Sequence, residues 1–116
     1  MRFERELLKG VAPVVVLEVL SRGAMYGYEL SEAIAKRSGE ILTLGRGTLY
    51  PLLYNLEAKG LVVAKLVEKP GRRKRRYYSI TGRGKKHLAA QKAQLQQLQA
   101  GVDLVFGFGG TRVSPA

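Results

Sequence analysis

Two strand-like runs enclose the most basic part of this sequence, and this arrangement limits the folds open to the chain more than any other feature. Residues 61–68, LVVAKLVE, are rich in β-branched side chains, and residues 75–80, RRYYSI, form a second run of strand length. The segment between them carries a turn signal, Pro70-Gly71. The sequence therefore predicts a β-hairpin with a basic tip, and a disordered basic tail is not favoured.

The hairpin belongs to a local excess of positive charge. The formal net charge of the chain is +11, and residues 65–86 hold 10 Lys or Arg against one acid, Glu68. Five of these cations are consecutive and a tyrosine follows them: Arg72, Arg73, Lys74, Arg75, Arg76 and Tyr77. Because a patch creates a directional field, we expect it to attract a polyanion to one surface of the protein.

Apolar patterns before the hairpin predict three helices. The first contains PVVVLEVL, residues 13–20, with Pro13 in its first turn, where the missing N–H costs least; its valines also suit a strand. The preceding ELLKGVA is either one more helical turn or a lead-in. The second covers residues 26–37, where one stripe of side chains recurs at helical spacing and Gly39 follows as a C-terminal cap.

The third helix has the clearest pattern, in TLYPLLYNLEAKG. Its apolar face repeats at i, i+3, i+4 and i+7: Leu49, Leu52, Leu53 and Leu56. Thr48 is the predicted N-cap, which places Pro51 in the first turn, and Gly60 is the predicted terminator. Tyr50 and Tyr54 fall on the opposite face, where tyrosines either pack half-buried or contact a ligand.

A last helix is predicted from its cap at Thr81 to about Phe106. Positions that recur every seven residues form a heptad-like seam, on which we expect a second chain to pack: Leu88, Leu95, Leu98, Val102 and Val105. Packing of the helix on its own domain is the alternative. The Gly-rich segment that follows is expected to be a flexible tail.

Catalytic and metal-binding patterns are missing from the sequence. There is no cysteine, the single histidine, His87, lies among lysines, and no phosphate-loop motif occurs. We therefore expect neither an enzyme nor a cofactor. The N-terminus mixes charges of both signs and the longest apolar run is too short for a membrane helix, so a cytoplasmic protein is expected.

The order of the elements is that of a winged helix. Three helices followed by a hairpin predict a mostly α fold in which the third helix enters a DNA major groove and the hairpin, or wing, reaches the neighbouring backbone. In this interpretation residues 1–80 are a winged helix-turn-helix domain, residues 81–108 a dimerisation helix, and residues 109–116 the tail.

Three stretches resemble the signatures of PadR-type transcriptional regulators: GAMYGYEL at 23–30, GTLYPLLYNLEAKGLV at 47–62 and GRRKRRYYSIT at 71–81. The resemblance implies a winged-helix homodimer that binds operator DNA as a repressor and pairs through its C-terminal helix. It also implies that the recognition helix carries the motif Leu49-Tyr50-Pro51. The length is similar to that of the short-tailed branch. The chain has no Trp, so the drug pocket that some members build between tryptophans is not expected.

These arguments give three sets of expected contacts. Phosphates are expected to contact the wing from Arg72 to Tyr77, with Lys36 and Arg37, while base edges contact Arg46, Thr48, Tyr50 and Tyr54. The dimer seam is the set given above. Mainly on the strength of the resemblance, a small hydrophobic effector is expected between the last helices, near Val15, Leu95, Leu98, Val102 and Phe106. Two alternatives remain open, an RNA-associated basic module and a winged helix that docks on an acidic protein.

Overall fold

A computed structural model describes residues 2–108. Within them the order of elements is α1 (Arg5–Leu20), β1 (Met25–Tyr26), α2 (Gly27–Arg37), α3 (Arg46–Ala58), β2 (Val62–Val67), β3 (Arg75–Ile80) and α4 (Gly82–Phe106). This mostly helical arrangement with a small antiparallel sheet is a winged-helix fold, as predicted. The tail predicted at 109–116 lies outside the described residues.

Helix α1 is longer than the sequence pattern indicated. It begins at Arg5, so Pro13 lies in its middle, and the prediction that Pro13 occupies the first turn is wrong. Proline removes one backbone hydrogen bond from a helix interior. Burial around it offsets this loss, because α1 supplies six core side chains: Ala12, Val14, Val16, Leu17, Val19 and Leu20. A fully buried aliphatic side chain stabilises the fold by about 1.5–3 kcal/mol.

The turn between α2 and α3 is fixed by local hydrogen bonds. Gly39 has a φ of 62°, which confirms its predicted role after the last turn of α2. The backbone N–H of Leu42 donates to Ser38 Oγ at 2.9 Å, and Ser31 Oγ donates to the carbonyl of Leu44 at 3.1 Å. Helix α3 then begins at Arg46 with Gly45 as its N-cap, so the prediction of Thr48 as the cap is wrong.

The sheet has the strand order β1-β3-β2, and both pairings are antiparallel. The predicted hairpin is confirmed, with Val67 opposite Arg75 at its outer end and Val62 opposite Ile80 at its base. The short strand β1 was not predicted, because two residues cannot show a repeat of two. Strand alternation places Tyr78 in the core and its neighbour Tyr77 on the other face of the sheet.

Helix α4 is attached to the rest of the fold by its first turns. Its predicted N-cap is confirmed, since Thr81 Oγ1 accepts a hydrogen bond from the backbone N–H of Gly84 at 2.9 Å. Gly84 lies so close to the carbonyl oxygen of Leu61 that a Cβ would overlap it. Leu88, one turn further, is buried in the core that α1, α2, α3 and the sheet share. Beyond Leu88, α4 has no fully buried residue.

Candidate nucleic-acid interface

Helix α3 has one buried face and one exposed face. Leu49, Leu53 and Leu56 are buried, as their spacing predicted. On the other side of the helix the exposed residues are Gly47, Thr48, Pro51, Tyr54, Asn55 and Ala58. Arg46 is exposed at the start of the helix, and the Tyr54 side chain is 57% exposed. Asn55 was missed, although it follows Pro51 by four residues and so shares its face.

Tyr50 does not lie on this exposed face. It is half-buried, and its hydroxyl rests against Gly27 at the start of α2, where a Cβ would overlap it. The predicted position of Tyr50 is therefore wrong, and the residue packs α3 against α2. The apolar spacing of α3 could not indicate that Tyr50 is half-buried, because its contact with Gly27 depends on a residue 23 positions earlier in the chain.

The tip of the hairpin carries the exposed cations. Arg72, Arg73 and Lys74 are exposed and make no ion pair within residues 2–108. The turn is defined by Gly71, with a φ of 74°, and by a hydrogen bond from the Arg72 N–H to the Lys69 carbonyl at 3.0 Å. These three side chains are available to a phosphate backbone.

The other two arginines of the basic run are held by the protein. The Arg75 guanidinium lies 4.3 Å from the ring centroid of Tyr26, which in turn meets Tyr77 edge-on at 5.4 Å. Such a cation–π contact is worth about 0.5–1 kcal/mol at an exposed site. Tyr26 was not recognised as a partner because strand β1 was not predicted. Arg75 is thus fixed at the base of the tip.

Arg76 connects the wing to the recognition helix. Its guanidinium Nη2 donates to both carboxylate oxygens of Glu57, at 3.1 and 3.3 Å. Arg76 is therefore engaged within the chain and joins the wing to α3, and its phosphate contact stays a prediction. Tyr78, on the same face of β3, has a buried hydroxyl without a hydrogen-bond partner in the described chain, and burial raises the pKa of this residue.

Comparison with known proteins identifies this architecture. The family model of the PadR-like transcriptional regulators matches residues 16–90, which include α2, α3 and the wing. The chain belongs to this family. It is therefore a DNA-binding transcriptional regulator and not an enzyme, which favours the DNA interpretation over the RNA and protein-docking alternatives.

Solved structures agree with the family assignment. A PadR family transcriptional regulator from Eggerthella lenta is 33% identical, with a TM-score of 0.76 over 87% of this chain and 86% of that one. A transcriptional regulator from Clostridium thermocellum is 30% identical, with a TM-score of 0.76 over 87% and 97%. PadR of Bacillus subtilis, solved with operator DNA, shares the fold at 21% identity and a TM-score of 0.64, over 70% of this chain and 46% of that one.

The two cations predicted on α2 of this PadR-like regulator have different surroundings. Lys36 is exposed near the end of the helix. Arg37 is also exposed but approaches Glu18 of α1 at 3.9 Å, and its phosphate contact stays a prediction. Glu18 also pairs with Lys92 of α4 at 2.7 Å and with Arg22 at 3.9 Å. The hydrogen bond from Lys92 is the main reason that the pKa of Glu18 is lowered.

The predicted dimer seam divides into a buried and an exposed part. Leu88 is 7% exposed and packs in the core of its own chain, so its assignment to the dimer contact is wrong. Leu95 is half-buried. Leu98, Val102 and Val105 have no such cover, and Val105 is 83% exposed. These last three remain available to a second chain.

The residues predicted to surround an effector are also divided. Val15 and Leu95 line a groove of about 280 Å³ between α1, α2 and α4, with Arg37 and Lys92 at the same groove. Leu98, Val102 and Phe106 do not line it and lie further along α4. The structure thus brings only two of the five predicted residues together.

Neither a membrane segment nor a metal cluster is found between residues 2 and 108. No helix in this part of the chain has the length and apolar content needed to cross a bilayer. The same residues contain no group of three or more His, Cys, Asp or Glu side chains placed to bind a metal ion.

Proposed function

We propose that this PadR-like regulator is a homodimeric, ligand-responsive repressor in the cytoplasm that recognises a pseudo-palindromic operator. The exposed face of α3, flanked by the free cations of the wing tip, supports this function best. A helix of this kind fits the major groove, and a two-fold dimer matches half-sites about 34 Å apart. The operator complex of Bacillus subtilis PadR shows that this fold binds DNA in a related protein.

Sequence recognition is assigned to α3. Thr48, Tyr54 and Asn55 present donors and acceptors on its exposed side, and Arg46 is exposed at its start. Arginine pairs well with the major-groove edge of guanine and asparagine with that of adenine, each pair being worth about 1–3 kcal/mol of discrimination. We therefore expect Arg46 and Asn55 to contribute most to the choice of sequence.

Affinity for the phosphate backbone is assigned to Arg72, Arg73 and Lys74, with Lys36 as a further contact. Phosphate contacts position a protein on DNA without selecting its sequence. The Arg76–Glu57 pair keeps the wing beside α3, so that both elements meet the duplex in one geometry. This reduces the conformational freedom lost on binding.

Dimerisation is assigned to the second half of α4, through Leu98, Val102 and Val105. An effector is assigned to the groove at Val15 and Leu95. That groove lies between α1, α2 and α4, and an occupant that changes their spacing would alter how two recognition helices are presented.

The test compares binding to DNA from beside the protein's own gene with binding to a scrambled duplex, at physiological salt. Asn55→Ala is expected to reduce the preference for the specific duplex about 10-fold, which corresponds to ~1.4 kcal/mol. The double variant Arg72→Ala with Arg73→Ala is expected to weaken binding to both duplexes alike, because phosphate contacts do not select the sequence. Each lost contact should also reduce the magnitude of the slope of log affinity against log salt concentration by about 0.9. Equal affinity of the unmodified protein for both duplexes would refute sequence-specific recognition.

A further inference from the structure

A second concentration of positive charge lies where α3 ends and α4 begins. A concavity of about 420 Å³ is lined there by Leu61 and four side chains that we call the α3–α4 cluster: Lys59, Arg83, Lys86 and His87. All four are exposed, whereas Leu61 is buried. No carboxylate within residues 2–108 pairs with any of them. None of these residues belongs to the wing, so this basic surface is separate from it.

The α3–α4 cluster is built on a rigid junction. Thr81 Oγ1 lies 2.8 Å from the carbonyl oxygen of Gly60 and 3.1 Å from that of Leu61, and the Thr81 N–H donates to the Leu61 carbonyl at 3.0 Å. Gly84 allows the first turn of α4 to touch the Leu61 carbonyl. These contacts hold the two backbones that carry the four side chains, so a bound anion has little main chain to order.

Lys59 of the cluster and Glu57, which pairs with Arg76 of the wing, lie on opposite sides of the exposed face at the end of α3. Glu57, which binds the wing through Arg76, and Lys59 are two residues apart, or about 200° around the helix axis. The exposed residues, including Pro51 and Tyr54, occupy the sector between them. A duplex seated on α3 would therefore have cations on both flanks.

We propose that the α3–α4 cluster binds phosphates of the DNA backbone on the side of the recognition helix opposite the wing. The inference rests on the proposed function, in which α3 occupies the major groove. Three exposed cations on a held backbone, with no carboxylate paired to them in the described residues, suit a polyanion, and the amino end of α4 adds its positive dipole. The regulator would thus contact the backbone on both sides of the groove that α3 enters, and its footprint would extend beyond the wing.

The first experiment measures affinity against salt concentration for the triple variant Lys59→Gln, Arg83→Gln and Lys86→Gln. The matched control is Arg2→Gln, Arg5→Gln and Lys9→Gln, which removes the same charge from exposed residues at the start of the chain. The cluster variant is expected to reduce the magnitude of the slope by up to about 3 for each bound subunit, and the control by much less. A similar change in both variants would overturn a local contact.

The second experiment shortens the DNA. A specific duplex is compared with one trimmed by a few base pairs on both flanks. Trimming is expected to reduce the DNA affinity of the unmodified protein. It should have little effect on the affinity of the cluster variant, whose contacts with the flanking DNA are already lost. If trimming the DNA reduces the affinity of the cluster variant as much as that of the unmodified protein, the cluster does not contact the flanking backbone. Melting temperatures of all variants, expected to be unchanged, exclude unfolding.

These results separate this inference from the proposed function. If the unmodified protein does not prefer the specific duplex, the assignment of α3 fails, while a local slope change would still place DNA at the cluster. If the preference holds but the cluster variant keeps the full slope, only this inference fails. A last measurement uses inorganic pyrophosphate. Suppose that pyrophosphate raises the melting temperature of the unmodified protein but not of the cluster variant, and that the cluster variant keeps the full salt slope of DNA binding. The site then binds a small anion and not DNA.

Discussion

The two halves of α4 have opposite surroundings, although they form one continuous helix of 25 residues. The first half is locked to the winged-helix domain by the Thr81 cap, the close approach of Gly84 to Leu61, and the buried Leu88. The second half exposes apolar side chains, with Leu98 at 64% and Val105 at 83%. This is the exposed apolar surface to which we assign dimerisation.

This difference shows that one heptad-like pattern serves two purposes. Leu88, Leu95 and Val102 recur every seven residues, yet they pass from buried to half-buried to exposed. The longest dimension of the molecule, 63 Å against 30 and 23 Å, agrees with a helix that extends past its own domain. We therefore expect changes in the first half to affect folding and changes in the second half to affect assembly.

The largest expected effect is on assembly. Leu98→Lys with Val105→Lys would bury two unpaired charges per chain in the proposed contact, and should weaken dimerisation by more than about 1,000-fold. Sedimentation velocity across a concentration series measures this. The control, Gln96→Lys with Ala100→Lys, adds the same charges about half a turn away on the helix. A folded dimer in the first variant would show that subunits pair elsewhere.

The same truncation should act differently in the two halves. Leu88→Ala removes a buried side chain and is expected to lower the free energy of unfolding by about 2–5 kcal/mol. Leu104→Ala, at a position 69% exposed, is expected to change it by less than about 0.5 kcal/mol. Both are measured by urea unfolding in the background of the monomeric double lysine variant. A small effect of Leu88→Ala would mean that the first half is not anchored.

The next comparison is between two glycines, one in each half of α4. A Cβ at Gly84 overlaps the Leu61 carbonyl oxygen, while a Cβ at Gly101 meets nothing within 4 Å. Gly84→Ala should therefore cost about 1–3 kcal/mol of stability, and Gly101→Ala should gain up to about 1 kcal/mol from helix propensity. Thermal unfolding of the two variants at equal concentration is the measurement. A stable Gly84→Ala protein would show that the α3–α4 junction tolerates displacement.

The sequence predicted those elements whose signals are local. The turn of the hairpin, Gly39 and the Thr81 cap have short-range signals, and all three were confirmed. The signals at Thr48 and Pro13 were equally local, but both predictions were wrong because the helices begin earlier than expected. The close approach of Gly84 to Leu61 was not predicted, because this contact is not visible in local sequence. Tyr50 was misplaced for the same reason, since its neighbour Gly27 belongs to another helix.

The candidate site follows the same rule. The free cations of the wing tip were predicted from composition alone, and their exposure agrees with it. The partners that engage the other arginines, Tyr26 and Glu57, come from β1 and α3. Similarly, the approach of Arg37 to Glu18 of α1 was not predicted. Pairing between distant elements requires the fold, and short-range spacing does not encode it.

The smallest expected effect concerns the ion pair at the junction of the two halves of α4. Lys92 donates to Glu18 at 2.7 Å and lowers the pKa of that carboxyl. A carboxyl whose pKa is lowered by folding stabilises the native state above its unfolded pKa, and this contribution is lost as pH falls through the folded pKa. Lys92→Gln should therefore reduce stability by about 0.2–1 kcal/mol at pH 7, the range for exposed pairs.

The difference between Lys92→Gln and the unmodified protein should disappear in acid, once Glu18 is protonated in both. It should also shrink in high salt, because the Lys92 side chain is 54% exposed. Arg22→Gln is the control, since Arg22 approaches the same carboxylate only to 3.9 Å and should have a smaller effect. If the stability of Lys92→Gln stays below that of the unmodified protein by the same amount from neutral to acid pH, the electrostatic explanation is contradicted. It would mean that the aliphatic stem of Lys92, packed at the groove beside Leu95, joins the two halves of α4 to α1.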